Sequence, residues 1–142
     1  MAASPLVGTW TLASCEHELE DGSKTFPFGR EPRGRLIYTA EGRMLVVLMD
    51  SGRANAKSHE LFEATDAELA AWSRGCVAYS GRWEPRGEKV VHHVDVSLFP
   101  NWVGTRQLRA VKLTGDTLVL STRPFTVKDV VQTARLVWKR EG

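Results

Sequence analysis

A chain of 142 residues and 15.8 kDa, 42% hydrophobic and 25% charged, has the composition of one globular domain spanning 1–142 and excludes disorder. Nineteen Lys and Arg stand against 17 Asp and Glu, and the small excess is spread along the chain, which disfavours nucleic acid or a membrane surface as a partner. No stretch nears the ~18 consecutive apolar residues of a spanning helix, and Met1 to Pro5 shows no basic leader followed by an apolar run, so a cytoplasmic protein is expected.

Turn signals recur at Asp21-Gly22, Glu41-Gly42, Arg86-Gly87 and Thr114-Gly115-Asp116, between runs rich in Val, Leu, Thr and aromatics. Such punctuation every ~8–12 residues, with period-2 alternation inside the runs, predicts antiparallel strands joined by hairpins. In chain order the strands are expected over Leu6–Glu18, Gly34–Thr39, Arg43–Met49, Val77–Pro85, Lys89–Leu98, Thr105–Leu113, Thr117–Thr122 and Val131–Lys139, with Lys24–Gly29 a candidate for a short extra one. One segment has helical chemistry. Thr65 can cap the stretch Asp66–Arg74, Glu68 stands at the capping-box position, and Gly75 stops it. A meander of eight strands hides its edges by closing into an antiparallel up-and-down barrel, whose interior holds packed side chains or one small ligand.

Charged residues mark the solvent face of each strand, so alternation orients the rest. Trp10 and Leu12 inward place Ser14 and Glu16 on the same face; Leu36 and Tyr38 follow on the next strand, and Met44 and Leu48 are assigned to the cavity wall. Arg82 and Glu84 outward send Tyr79 and Trp83 in, while Lys89 and Asp95 outward send Val90, His92, Val94, Val96 and Leu98 in. Lys112 outward puts Gln107, Arg109, Val111 and Leu113 inside, and the last strand turns Ala134, Leu136 and Trp138 inward. The expected interior is apolar with Tyr38, Tyr79, His92, Gln107, Arg109 and Glu16 converging in it. An unpartnered buried Arg is costly, so Arg109 is either paired with Glu16 in a filled core or waiting for an anionic or carbonyl-bearing ligand.

Other constellations carry less. His92 and His93 are adjacent on a strand and face opposite sides, so they cannot share a metal. His93, Asp95 and Ser97 share a face but sit ~7 Å apart in succession, too far for a nucleophile–base pair, and read as solvated surface. His17 and His59 are scattered, no three-ligand set is found, and neither a metal nor a cofactor is expected. Cys15 and Cys76 lack redox or metal spacing and read as free thiols, although one disulfide stays open.

Four segments resemble the bacterial and fungal lipocalin-like domain family of calycin-type barrels. They are Leu6-Val7-Gly8-Thr9-Trp10 with its Gly-x-Trp; Pro27-Phe28-Gly29 followed by Pro32-x-Gly34-x-Leu36-Ile37-Tyr38-Thr39-x-x-Gly42-x-Met44; Tyr79-Ser80-Gly81 leading to His92-His93; and Ser97-Leu98-Phe99-Pro100-Asn101-Trp102-Val103-Gly104-Thr105, running into Arg109 and Gly115-Asp116-x-Leu118. The resemblance covers nearly the whole chain. It implies a lipocalin-type closure in which Trp10 packs under Arg140 at the barrel base. The secretory signal and disulfide pattern of classical lipocalins are missing, which implies an intracellular member. It further implies small-molecule binding, in some members beside enzymes of natural-product biosynthesis, and similar small barrels also serve as cyclases, isomerases or decarboxylases.

Two ligand-dependent functions follow as expectations, beside a third reading, a structural or interaction module with a filled barrel, which the alternation alone would support. In the first, the barrel binds a hydrophobic or aromatic molecule bearing a carbonyl, phenol or carboxylate. Trp83, Val94, Val96, Met44 and Leu48 form the walls, Arg109 and Gln107 orient the polar end, and Tyr38 and Tyr79 donate hydroxyls. Trp102 and the Phe26–Gly29 segment stand at the mouth, and the helix caps one end. In the second, the same cavity is a cofactor-independent isomerase, cyclase or lyase, with His92 as general acid or base and Arg109 and Tyr79 stabilising an enolate or phenolate. Self-association into a homodimer stays open in either case.

Overall fold

The computed structural model describes residues 4–142; Met1 to Ala3, on which part of the leader reading falls, lie outside them. Ten strands alternate with sharp turns: β1 (Gly8–Leu19), β2 (Lys24–Thr25), β3 (Arg33–Tyr38), β4 (Arg43–Met49), β5 (Cys76–Arg86), β6 (Lys89–Ser97), β7 (Arg106–Thr114), β8 (Thr117–Ser121), β9 (Phe125–Val127) and β10 (Val130–Arg140). All pairings are antiparallel, in the order β2-β1-β3-β4-β5-β6-β7-β8-β10-β9, and β1 also pairs with β10. That last pairing closes eight long strands into a barrel, with β2 and β9 as short additions. The β3–β4 turn shows why the hairpins form where the sequence indicates: Gly42 takes φ +89°, a conformation side chains resist.

Two β-bulges reset the alternation. In β1 the register against β10 slips between Leu12 and Ser14, leaving Ala13 as the extra residue. Trp10 and Leu12 point inward as expected, but Cys15 then takes the inner face. Glu16 is turned out, where its carboxylate lies 3.4 Å from Arg135 and 3.5 Å from Lys24. The inward placement of Ser14 and Glu16 is thereby corrected. In β6 the register against β5 slips at Asp95, so Val94 is buried while Val96 is 66% exposed and Leu98 49%. Val96 is therefore no wall residue. Gly81 faces this bulge, and a Cβ there would collide with the His93 carbonyl oxygen, so only glycine lets the two strands approach.

The base of the barrel is packed solid by Trp10, Leu36, Leu118 and Trp138, all at 0% exposure. The Arg140 guanidinium lies 4.2 Å above the Trp10 ring and donates to the carbonyls of Val7 and Pro5, the closure that the resemblance implied. Helix α1 (Asp66–Arg74) has the expected capping box, with the Thr65 hydroxyl accepting from the Glu68 amide and the Glu68 carboxylate from the Thr65 amide. None of its residues is buried and none lines the cavity, so it does not cap an end of the barrel. Of the Lys24–Gly29 segment only Lys24–Thr25 is strand; the rest turns, with the Gly29 amide donating to the Phe26 carbonyl.

Candidate functional site

Above the packed base the barrel opens into a cavity of about 700 Å³, the size of a small-molecule site. Leu36, Val46, Leu48, Leu120 and Leu136 supply apolar wall. Near the mouth stand Pro27 and Phe28 from the turn after β2, Trp102 from the short 3₁₀ turn Pro100–Trp102, and Phe125 of β9. Trp102 meets Tyr79 edge to face at 5.7 Å and Phe99 at 5.4 Å, which pins the loop over the opening.

The cavity also reaches through the barrel wall. β7 pairs with β8 only from Ala110 onward, so Arg106 to Arg109 have no strand on that side. Alternate residues of one strand face opposite sides, yet Arg106 and Leu108 line the cavity together with Gln107 and Arg109. Both sets reach it because the cavity wraps around this free edge, with Arg123 and Pro124 on the far bank. The Arg109 guanidinium folds back on the edge and donates to the Leu108 carbonyl at 3.1 Å.

At one corner the polar groups meet. His92 of β6 is 2% exposed, and both ring nitrogens are held: Nε2 by the Tyr38 hydroxyl and Nδ1 by the Tyr79 hydroxyl, each at 2.6 Å. Gln107 lies opposite His92 in the β6–β7 register, and its Oε1 accepts from Arg109 at 3.3 Å. Burial, reinforced by the charges of Arg109 and His93, pushes the His92 imidazole down from 6.5 to about 3. Burial likewise raises both tyrosines, Tyr38 the more clearly, against the opposing pull of Arg109. At neutral pH the trio is uncharged. Arg109 makes no ion pair among the described residues, so the Arg109–Glu16 pair does not form, and no Asp or Glu lines the cavity.

The candidate residues thus divide. Tyr79, His92, Gln107, Arg109, Trp102 and Leu48 reach the cavity. Tyr38, Trp83, Met44 and Val94 point inward but belong to the packed layer around it, where Tyr38 and Trp83 stack at 4.5 Å and Trp83 donates to the Thr39 carbonyl. Glu16 and Val96 lie outside. With both nitrogens occupied and protonation suppressed, His92 offers a substrate neither a lone pair nor an acidic proton, and any proton exchange would run through Tyr79. The trio His93, Asp95 and Ser97 is split by the bulge: His93 meets Glu84 at 2.9 Å and Asp95 lies 3.8 Å from Arg43.

Sequence reasoning missed Cys15, His17 and Phe125 at the cavity. The Ala13 bulge brings the first two in; His17 Nδ1 bonds Gln132 at 3.0 Å and its ring meets Phe125 edge-on. Burial lowers the His17 pKa and lifts the Cys15 thiol to about 12, so Cys15 is no nucleophile. Both cysteines are free thiols. Among the described residues no three His, Cys, Asp or Glu side chains are grouped to hold a metal, and no helix is long and apolar enough to cross a membrane.

A closed antiparallel barrel with an apolar chamber and one polar corner has the lipocalin-like architecture. The chain belongs to the lipocalin-like domain family, whose model matches residues 7–141. It is 36% identical over 106 residues to the 4'-hydroxy-3'-methoxypropiophenone carrier protein of Aspergillus oryzae, covering 68% of this chain and 96% of that one. In fold it is similar to a lipocalin-like protein from Bacteroides uniformis, with a TM-score of 0.50, 11% identity, and coverage of 97% and 100% of the two chains.

Proposed function

We propose that the protein binds and carries a small aromatic molecule bearing a carbonyl, phenol or carboxylate oxygen, with the ring against the cavity's apolar wall and the oxygen at the Tyr79–Arg109 corner. The observation that carries this reading is the pairing of a roughly ligand-sized hollow with a buried polar cluster at one place in its wall. Apolar surface removed from water supplies affinity at ~25 cal/mol per Å², and the corner supplies orientation. The Aspergillus oryzae relative, named as the carrier of an aryl ketone, supports the same ligand class. A cavity that binds without turning over its ligand also suits a His92 with no free nitrogen.

Titration of the purified protein with a panel of aryl ketones, phenols and aryl carboxylates, followed by tryptophan fluorescence and calorimetry, tests the proposal. Saturable binding of one ligand per chain is expected. Failure of every aryl ketone, phenol and aryl carboxylate to bind overturns it.

A further inference from the structure

The hydrogens of the polar corner can be assigned by counting donors and acceptors. Tyr38 is 1% exposed and its hydroxyl has one hydrogen-bond partner, Nε2 of His92. A buried hydroxyl proton needs an acceptor, and for Tyr38 that acceptor is Nε2. The neutral imidazole then carries its proton on Nδ1 and donates it to the Tyr79 oxygen. Tyr79 lines the cavity, so its own proton is free to be given to a ligand. The opposite tautomer would strand the Tyr38 proton in the core while Tyr79, which has the cavity to turn to, used its proton on the ring.

The neighbouring groups have the same polarity. Gln107 Oε1 is taken by Arg109, which leaves the amide NH₂ as the unused end. The Leu108 carbonyl is also taken by Arg109. Tyr79, Gln107 and Arg109 therefore all offer hydrogens.

We propose that this corner is a donor-only site that takes a phenolic ligand as its phenolate, Tyr79 giving the hydroxyl proton and Tyr38 acting as the positioning residue that fixes the His92 tautomer. The inference rests on the proposed small-molecule function and narrows its ligand class. A phenol O–H entering the corner finds donors facing it, whereas a phenolate oxygen accepts from Tyr79 and meets the Arg109 guanidinium. The proton lost by the phenol goes to bulk water.

The charge state of the titratable groups around the cavity agrees. Tyr38 of β3, Tyr79 of β5 and His92 of β6 are neutral, as are Cys15 and His17 of β1. Arg109 of β7 brings its guanidinium to the corner, Arg86, Arg106 and Arg123 also line the cavity, and among the described residues no carboxylate does.

Absorbance titration of bound 4-hydroxyacetophenone against pH tests this, because phenol and phenolate absorb at different wavelengths. The phenolate is expected to bind at least about tenfold tighter than the phenol, so the bound probe ionises at lower pH than the free one. Arg109→Gln and Tyr79→Phe should each remove most of that shift. In ¹⁵N-histidine spectra of the unaltered protein, His92 should show the Nδ1–H tautomer, and Tyr38→Phe should release it to the other form and shrink the shift. A probe that binds but stays protonated where the free form is half ionised overturns this inference and leaves the small-molecule reading intact. An Nε2–H tautomer in the unaltered protein also overturns it. If 4-hydroxyacetophenone fails to bind, this inference falls, while the small-molecule reading falls only if the whole panel of aryl ketones, phenols and aryl carboxylates fails.

Discussion

Tyr79 and His92 face each other across neighbouring strands, the phenolic oxygen 2.6 Å from Nδ1, and Tyr38 holds the other ring nitrogen at the same distance. The three side chains come from β5, β6 and β3, so the pair is locked by the barrel wall and not by a loop. This rigidity places a hydroxyl at a fixed point of the cavity surface.

Buried neutral histidine makes stability depend on pH. His92 is lowered from 6.5 in the unfolded chain to about 3 in the fold, so between those values the unfolded state binds more protons. Stability contributed by the neutral ring is full above 6.5 and is lost as pH falls toward about 3. Thermal melts should show the midpoint dropping through that window, and His92→Gln should flatten this part of the profile. An unchanged slope in the variant would place the acid sensitivity elsewhere.

Filling the chamber should block it. Val46 lines the cavity wall beside Tyr79 on the neighbouring strand. Val46→Trp projects an indole into space that a ligand needs, and affinity for aryl ketones should fall more than about tenfold while the melting temperature holds or rises, since the hollow absorbs the added volume. Calorimetry together with a thermal melt reads both quantities.

Among the described residues Arg109 has no carboxylate partner to leave stranded. Arg109→Leu should therefore cost little stability, yet weaken anionic ligands by about 1.5–3 kcal/mol, the worth of a charge-assisted hydrogen bond. Neutral apolar ligands should be spared. Equal losses for charged and uncharged ligands in parallel titrations would show the guanidinium acting as wall and not as charge.

Gly81 is a steric requirement of the bulge. Gly81→Ala drives a methyl group into the His93 carbonyl oxygen and should destabilise the protein by about 2–4 kcal/mol in urea unfolding. Wild-type stability in that variant would mean the β5–β6 register is softer than the packing indicates.

The barrel was legible where the chemistry is local. Gly42, Gly87 and Gly115 announce their hairpins, and Lys112, Arg82 and Lys89 orient their strands; Tyr79, His92, Gln107 and Arg109, assigned inward on that basis, line the cavity. Errors began one residue past each bulge. Ala13 and Asp95 carry no sequence mark of being extra, yet each flips every later side chain of its strand, sending Glu16 and Val96 out and bringing Cys15 and His17 in. The β9–β10 hairpin escaped notice because Lys128 and Asp129 take positive φ, 48° and 67°, where glycine or asparagine is the usual signal. The free edge of β7 depends on where β8 leaves the sheet, a tertiary event that alternation cannot register.

A crystal structure of the complex with 4-hydroxyacetophenone tests the central claim most directly. The ligand should lie inside the barrel, its ring against Val46 and Leu120 and an oxygen within hydrogen-bond distance of Tyr79 and Arg109. A ligand seated on the outer surface, or a saturated crystal whose chamber holds only water, would contradict the account.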